Sequence, residues 1–278
     1  MVNITPQELQ VFIKYVCELS GIMLDDGKGY LLESRLGPVL KERQCANFIE
    51  LYHQAKSDRS NTIARSIIDA ITTNETSFFR DSAPFQLFKY KLVPEHFDHV
   101  KQVSNGRPLA LNIWSAACSS GQEIYSIAIT LKELLGDLTP YRINIVGTDI
   151  SDAMVQQASA GRYNKVEIER GLSPDQIRQY FITTGSSWCI KDELRALASF
   201  RRLNLLEGSV GLEIFDIIFC RNVAIYFSPE DRARLFDRLA NQLNPGGILI
   251  IGSTESLLGV SQRYERKSYQ NTVFYQRR

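Results

Sequence analysis

The second half of the chain carries a series of short, almost purely apolar runs, and these constrain the fold more than any other feature. LALNIWSAA (109–117), INIVGTDI (143–150), FDIIFCRN (215–222) and ILIIGS (248–253) do not alternate polar with apolar residues. Strands that read this way are buried on both faces, as in a parallel sheet covered by helices. The intervening segments supply such helices. EIYSIAITLKELLG (123–136) has helical periodicity and stops on Gly136, Ser151 can cap another helix, and Ser228, Pro229 and Asp231 open one that runs to about Leu243. The turn Asn244-Pro245-Gly246-Gly247 leads into ILIIGS, and NTVFYQ (271–276) reads as a last strand. Strands alternating with helices predict an α/β fold with a doubly wound parallel sheet. Residues 162–200 break the rhythm with LSPDQIRQYF (172–181) and the turn-rich TTGSS (183–187). They are expected to form an insertion carrying a small antiparallel sheet.

The first 80 residues have a different character. Thr5, Pro6 and Glu8 form a capping box with proline at the first helical position. Leu9, Phe12, Ile13 and Val16 follow at helical spacing, and Gly21 suits a stop. A second segment from about Tyr30 to Arg43 should be kinked or split at Pro38. Further helices are expected over 47–55 and 61–71. The expected organisation is a helical N-terminal domain (1–80), a linker (72–90) and an α/β domain (91–278). A chain of 278 residues has room for two such units.

A net charge of +1 argues against a nucleic-acid binder. Cys17, Cys45, Cys118, Cys189 and Cys220 form no CxxC pair, and with His53, His96 and His99 as the only histidines no zinc pattern appears. Scattered cysteines fit a reducing compartment. The opening MVNITPQELQ lacks the features of a signal peptide, and no apolar run approaches the ~18 residues of a membrane span. The expectation is a cytoplasmic protein with no direct membrane insertion.

Several blocks carry polar residues where an α/β sheet binds its ligand, beyond the carboxyl ends of the strands. In NIWSAACSSGQE (112–123) a tight turn leads into a helix, but the GxGxxG pattern is missing and Gly121 stands alone. That suits a ligand without a pyrophosphate. Asp149, ending the second strand, is placed to accept hydrogen bonds from ribose hydroxyls. S-adenosylmethionine and NAD both offer such a ribose, so Asp149 does not choose between them. Glu123 could hold an ammonium group or act only as a first-turn acid on the helix dipole. Arg221 and Asn222 follow the third strand directly, ahead of VAIYF (223–227). TTNETSFFRD (72–81) lies between the two halves and mixes polar groups with Phe78 and Phe79, which can pack.

Taken together these blocks resemble the chemotaxis receptor methyltransferase (CheR) family. TNETSFFRD is similar to the family's T-N-x-T-x-F-F-R-[DE] signature, and WSAACSSGQEIYSIA (114–128) to its S-adenosylmethionine loop. GTDIS (147–151), FDIIFCRNVAIYF (215–227) and NPGG (244–247) follow in the family's order. The resemblance implies an all-α N-terminal domain that recognises substrate, then a class I methyltransferase domain with an inserted β-subdomain. It implies S-adenosylmethionine as cofactor, S-adenosylhomocysteine as product and no metal. Asn74, Thr76, Arg80, Glu123, Asp149, Asn204, Leu205, Arg221 and Asn222 are the implied cofactor contacts. Arg80, Arg221 and Tyr226 are expected to shape the substrate side. Ala117 stands where the family often has glycine and Ile124 where it has proline.

The implied reaction is methylation of glutamate side chains on the cytoplasmic methylation helices of chemoreceptors, the enzyme being recruited to membrane receptor arrays for adaptation. A glutamate with pKa about 4.3 is already ionised near neutral pH, so no strong general base is needed. Lys28, Arg35, Lys41, Arg43, Lys56, Arg59 and Arg65 could steer an acidic helix if they share a face, though Glu33, Glu42, Glu50 and Asp58 are interspersed. In some members the β-subdomain grips the receptor's C-terminal tail; the short stretch 183–198 counts against that role here. Two other readings stand beside this one: a CheR-like module that binds the cofactor without transferring methyl groups, and a nicotinamide-dependent oxidoreductase.

Overall fold

The computed structural model describes residues 3–103, 108–207 and 213–278. Four helices come first: α1 (Pro6–Ser20), α2 (Gly29–Glu42), α3 (Phe48–Ser57) and α4 (Thr62–Ile71). The capping box of α1 is present and its helix ends on Gly21 in the left-handed region, φ 74°. Glu8 does a second job. Its Oε2 accepts from Thr5, while Oε1 accepts from the N–H groups of Phe48 and Ile49 at 3.0 and 3.3 Å, so one carboxylate caps both α1 and α3. Phe12, Val16, Leu32, Leu36, Phe48, Leu51 and Ile67 close a core of their own between the four helices. Pro38 does not split α2, which runs unbroken through it. Leu36, Val39 and Leu40 on either side are buried, and that packing outweighs the one backbone hydrogen bond a proline removes.

Residues 72–81 have no regular structure, and α5 (Ser82–Leu87) begins inside the segment expected to be linker. A π-helical turn (Phe88–Leu92) joins it to α6 (Val93–Val103). Phe85, Leu87, Phe88, Leu92, Val93 and Phe97 are buried against the sheet, so residues 82–103 belong physically to the α/β half.

That half continues with β1 (Leu109–Ala116), α7 (Gln122–Leu135), β2 (Tyr141–Asp149) and α8 (Asp152–Ala160). Next come β3 (Arg162–Tyr163), α9 (Lys165–Glu169), α10 (Pro174–Tyr180), β4 (Phe181–Thr184), β5 (Ser187–Ile190), α11 (Asp192–Arg195) and β6 (Ala198–Arg202). The chain ends with β7 (Phe215–Cys220), a 3₁₀ turn (Ala224–Tyr226), α12 (Pro229–Asn241), β8 (Leu243–Ile251), β9 (Tyr264–Tyr269) and β10 (Thr272–Arg277). The main sheet has the order β6-β2-β1-β7-β8-β10-β9. Strands β6, β2, β1, β7 and β8 are parallel, β10 runs antiparallel to β8, and the edge strand β9 pairs antiparallel with β10 and so points the same way as β8. The order reverses between β1 and β7, which opens a crevice above their carboxyl ends.

Three differences from the sequence reading have physical causes. The antiparallel sheet β3-β5-β4 lies within 162–190, whereas Ala198–Arg202 pairs in parallel with β2 as an edge of the main sheet. ASFRR reads as polar because an edge strand is only half covered. YERKSY forms β9, another edge, whose charges hide its strand character while protecting it from further pairing. NPGG does not precede β8; it bulges within it, where the register with β7 jumps from Phe215–Leu243 to Ile217–Ile248.

Candidate functional site

The crevice floor is the β1–α7 turn. Ala117, Ser119 and Gly121 all adopt positive φ, at 59°, 49° and 92°. At Gly121 a Cβ would stand 2.9 Å from the Cβ of Ala158, so only glycine lets α7 start against α8. The turn is pinned to the next strand end: the Cys118 N–H donates to the Thr148 carbonyl (2.9 Å) and the Ser119 N–H to Oδ2 of Asp149 (2.9 Å). The Ser151 N–H donates to Oδ1 of the same carboxylate at 2.9 Å. Asp149 is 6% exposed. Burial pushes its carboxyl above the usual range, against the pull of these backbone donors.

Residues 72–81 are fastened over this floor. Phe78 is 1% exposed and meets the rings of Tyr163 and Phe181 edge-on, at 4.9 and 5.6 Å. Gly171, φ 103°, lies so close to the Phe78 carbonyl that a Cβ there would be 1.9 Å from its oxygen. The Phe79 N–H donates to Oγ of Ser126 (2.9 Å), and the Ser119 hydroxyl donates to the Asn74 carbonyl (3.0 Å). Arg80 turns back to donate to the Glu75 carbonyl (2.8 Å), while Glu75 pairs with Arg170 at 2.8 Å.

Arg221 is the strut between this segment and the sheet. Its side chain is 2% exposed and bridges Oε2 of Glu123 and Oδ2 of Asp81, both at 2.9 Å. It also donates to the Arg80 carbonyl at 2.7 Å and lies 5.7 Å from the ring of Phe85. The other oxygen of Glu123 accepts from the Ser115 hydroxyl (2.7 Å). The two charged residues that the sequence placed separately around the ligand therefore meet each other.

The third wall comes from the helical domain. The Met23 N–H donates to the Tyr226 carbonyl at 2.9 Å. The Asn204 amide donates to the Leu19 carbonyl (3.1 Å) and to Glu207 (3.0 Å), and accepts from the Leu206 N–H (3.0 Å). Gly21 faces Leu206 so closely that a Cβ would come within 2.0 Å of the leucine Cδ1. Arg35 donates to the carbonyls of Ile71 and Thr72, closing the end of α4 where residues 72–81 begin.

These walls enclose a cavity of about 440 Å³, within the range of roughly 300–1,000 Å³ usual for small-molecule sites. Asn74, Thr76, Arg80, Glu123, Asp149, Asn204, Leu205, Arg221, Asn222 and Tyr226 all line it. The sequence reading missed Ile22, Met23, Tyr30 and Leu31, which line it from the helical side. No motif marks them, since their role depends on how one domain sits on the other. Of the basic residues, Lys28 and Arg35 reach the cavity, whereas Arg43, Lys56 and Arg65 sit in separate pairs with Glu42, Glu18 and Asp152. Cys118 also lines the cavity, but burial pushes its thiol far above the ordinary range, so it stays protonated and unreactive. A buried acceptor carboxylate at a strand end, beside a turn of positive φ, fits the hydroxyls of a nucleoside sugar.

Comparison with known proteins agrees with this geometry. Residues 7–72 match the family described as CheR methyltransferase, all-alpha domain, and residues 74–273 match CheR methyltransferase, SAM binding domain. A chemotaxis protein methyltransferase of Vibrio parahaemolyticus is 39% identical, over 99% of this chain and 98% of the relative. Chemotaxis protein methyltransferase 1 of Vibrio cholerae is 39% identical over the same shares. Chemotaxis protein methyltransferase 1 of Pseudomonas aeruginosa is 37% identical over 96% of this chain and 95% of its own length.

Proposed function

The chain belongs to the CheR methyltransferase family, and from that premise we propose that it methylates glutamate side chains on the cytoplasmic methylation helices of chemoreceptors. The products are glutamate methyl esters and S-adenosylhomocysteine, and the role is adaptation in chemotaxis. The supporting observation is the position of the cavity, walled on one side by the strand ends and on the other by the helical domain. Among the described residues no helix is long and apolar enough to cross a membrane. The proposed setting is the cytoplasm, with recruitment to receptor arrays through the substrate.

The residues of the sheet side fit S-adenosylmethionine. Asp149 would accept from its ribose, Glu123 would face its ammonium group, and Asn204 with Leu205 would border its adenine. When bound, the cofactor supplies an electrophilic methyl group on sulfur. The protein's part is positioning. The acceptor glutamate arrives ionised, with pKa about 4.3 in water, and no histidine lines the described cavity, in keeping with a reaction that needs no base. Arg80, half-buried and with its guanidinium bonded to the Glu75 carbonyl, and Tyr226 would orient that carboxylate and strip its water. Orientation of this kind is worth roughly 7–11 kcal/mol in favourable cases.

Calorimetry with S-adenosylhomocysteine, on wild type and Asp149→Ala, tests the cofactor half. We expect binding that the substitution weakens strongly; undiminished binding would remove the assignment. Transfer of radiolabelled methyl groups to receptor-containing membranes tests the other half. The label should leave as a volatile product in mild base, and base-stable label would exclude a carboxylate acceptor.

A further inference from the structure

Glu255 lies in the loop after β8, outside every motif described above and outside the cavity lining. Its Oε2 nonetheless accepts two backbone N–H groups that belong to neighbouring strand ends: Asn222, after β7, at 2.9 Å and Gly252, after β8, at 2.7 Å. Its Oε1 is buried and has no hydrogen-bond partner among the described residues. Asn222 holds φ 60°, a left-handed conformation that asparagine tolerates better than most residues but that its surroundings must still hold in place. The space around this bond is filled. A Cβ on Gly252 would stand 2.7 Å from Oε2 of Glu255, 2.8 Å from Nδ2 of Asn222 and 3.0 Å from its backbone nitrogen. The carboxylate of a half-buried glutamate is thus clamped onto the backbone donor whose residue turns the chain from β7 into the cavity wall.

We propose that Glu255 is a positioning residue of the ligand site: by holding the Asn222 N–H it fixes the left-handed turn, and so sets where Arg221 and Asn222 stand in the cavity. Arg221 precedes the turn and must point inward to reach Glu123 and Asp81, while Asn222 contributes to the lining. The identity of the ligand rests on the function proposed above; the clamp itself rests on the geometry alone.

Calorimetry with S-adenosylhomocysteine on wild type, Glu255→Ala and Glu255→Gln tests this, with thermal melts alongside. Glu255→Ala should weaken binding about tenfold, the usual consequence of losing a charged hydrogen-bond acceptor from a buried site. Glu255→Gln should bind within about twofold of wild type, because its amide oxygen can accept both N–H groups and the atom replaced has no described partner. Should Glu255→Ala fail to fold, Glu255→Asp, one methylene too short, carries the same expectation. A Glu255→Ala that melts earlier but binds normally would reduce Glu255 to a structural residue and overturn the proposal, as would a Glu255→Gln that binds as weakly as Glu255→Ala. A wild-type chain that does not bind S-adenosylhomocysteine would overturn both this proposal and the functional reading beneath it; normal wild-type binding with an indifferent Glu255→Ala would overturn this one alone.

Discussion

The two walls of the cavity are built on different principles. On the sheet side the charged groups are already engaged with one another or with the backbone. Asp149 takes two backbone N–H groups, Glu123 and Arg221 hold each other, and Arg221 is 2% exposed. On the helical side Met23 is 57% exposed and Tyr30 67%, and across the mouth Ile225 is 48% exposed. One wall is organised in advance by hydrogen bonds; the other presents open apolar surface. A ligand that must be held in one orientation matches the first, and a partner that docks and leaves matches the second. Substitutions on the two walls should therefore fail in different ways.

The largest effect is expected at Arg221, where the sheet wall and residues 72–81 are joined. Arg221→Ala would leave Glu123, only 13% exposed at its side chain, without its cation, and would release the Arg80 carbonyl and Asp81. Removing one partner of a buried ion pair typically costs about 3–5 kcal/mol. Thermal melts should show a drop of several degrees or more, with binding of S-adenosylhomocysteine lost together with stability. A stable Arg221→Ala that still binds would mean that the preformed wall does not depend on its strut.

A smaller and more diagnostic effect is expected at Asp149. Burial raises its carboxyl from the ordinary 3.8, so the folded protein holds the Asp149 proton more tightly than the unfolded chain does. A raised value contributes stability that is present below the unfolded pKa and is lost as pH climbs through the folded one. Relative to Asp149→Asn, wild type should thus gain melting temperature as pH is lowered through the raised folded value towards the ordinary 3.8. Ligand affinity should move the other way, because sugar hydroxyls need an ionised acceptor. If both quantities move together with pH, Asp149 is not the carboxylate that meets the ligand.

The same contrast explains what could be read from the sequence. The sheet wall was legible because its chemistry is local. Apolar runs announce parallel strands, and the residues just after them, Asp149 and Arg221, fall at the carboxyl ends by rule. Residues 72–81 were legible as a motif, although nothing in TTNETSFFRD says that Phe78 will enter a small sheet more than 80 residues further on. Glu255 was invisible because its partners, Asn222 and Gly252, come together only through the pairing of β7 with β8. The helical wall was equally hidden: Ile22, Met23 and Tyr30 are ordinary residues until α1 and α2 are set against the 3₁₀ turn at Tyr226. The split allowed for at Pro38 does not occur for the same reason, since local propensity yields to the core packed around Leu36 and Leu40.

Tyr30 offers the finest separation of the two walls. Its ring is mostly exposed and makes no hydrogen bond among those described, so Tyr30→Ser should change stability by no more than about 0.5 kcal/mol. A docking partner that covers an exposed aromatic ring loses about 1 kcal/mol when the ring is truncated, or roughly fivefold in apparent affinity. The expected result in a methyl-transfer assay is a receptor KM raised about fivefold, with kcat, melting temperature and S-adenosylhomocysteine affinity unchanged. Since Tyr30 also lines the cavity, an equal fall in S-adenosylhomocysteine affinity would be the contrary result. It would assign the helical wall to the cofactor and leave the substrate to enter elsewhere.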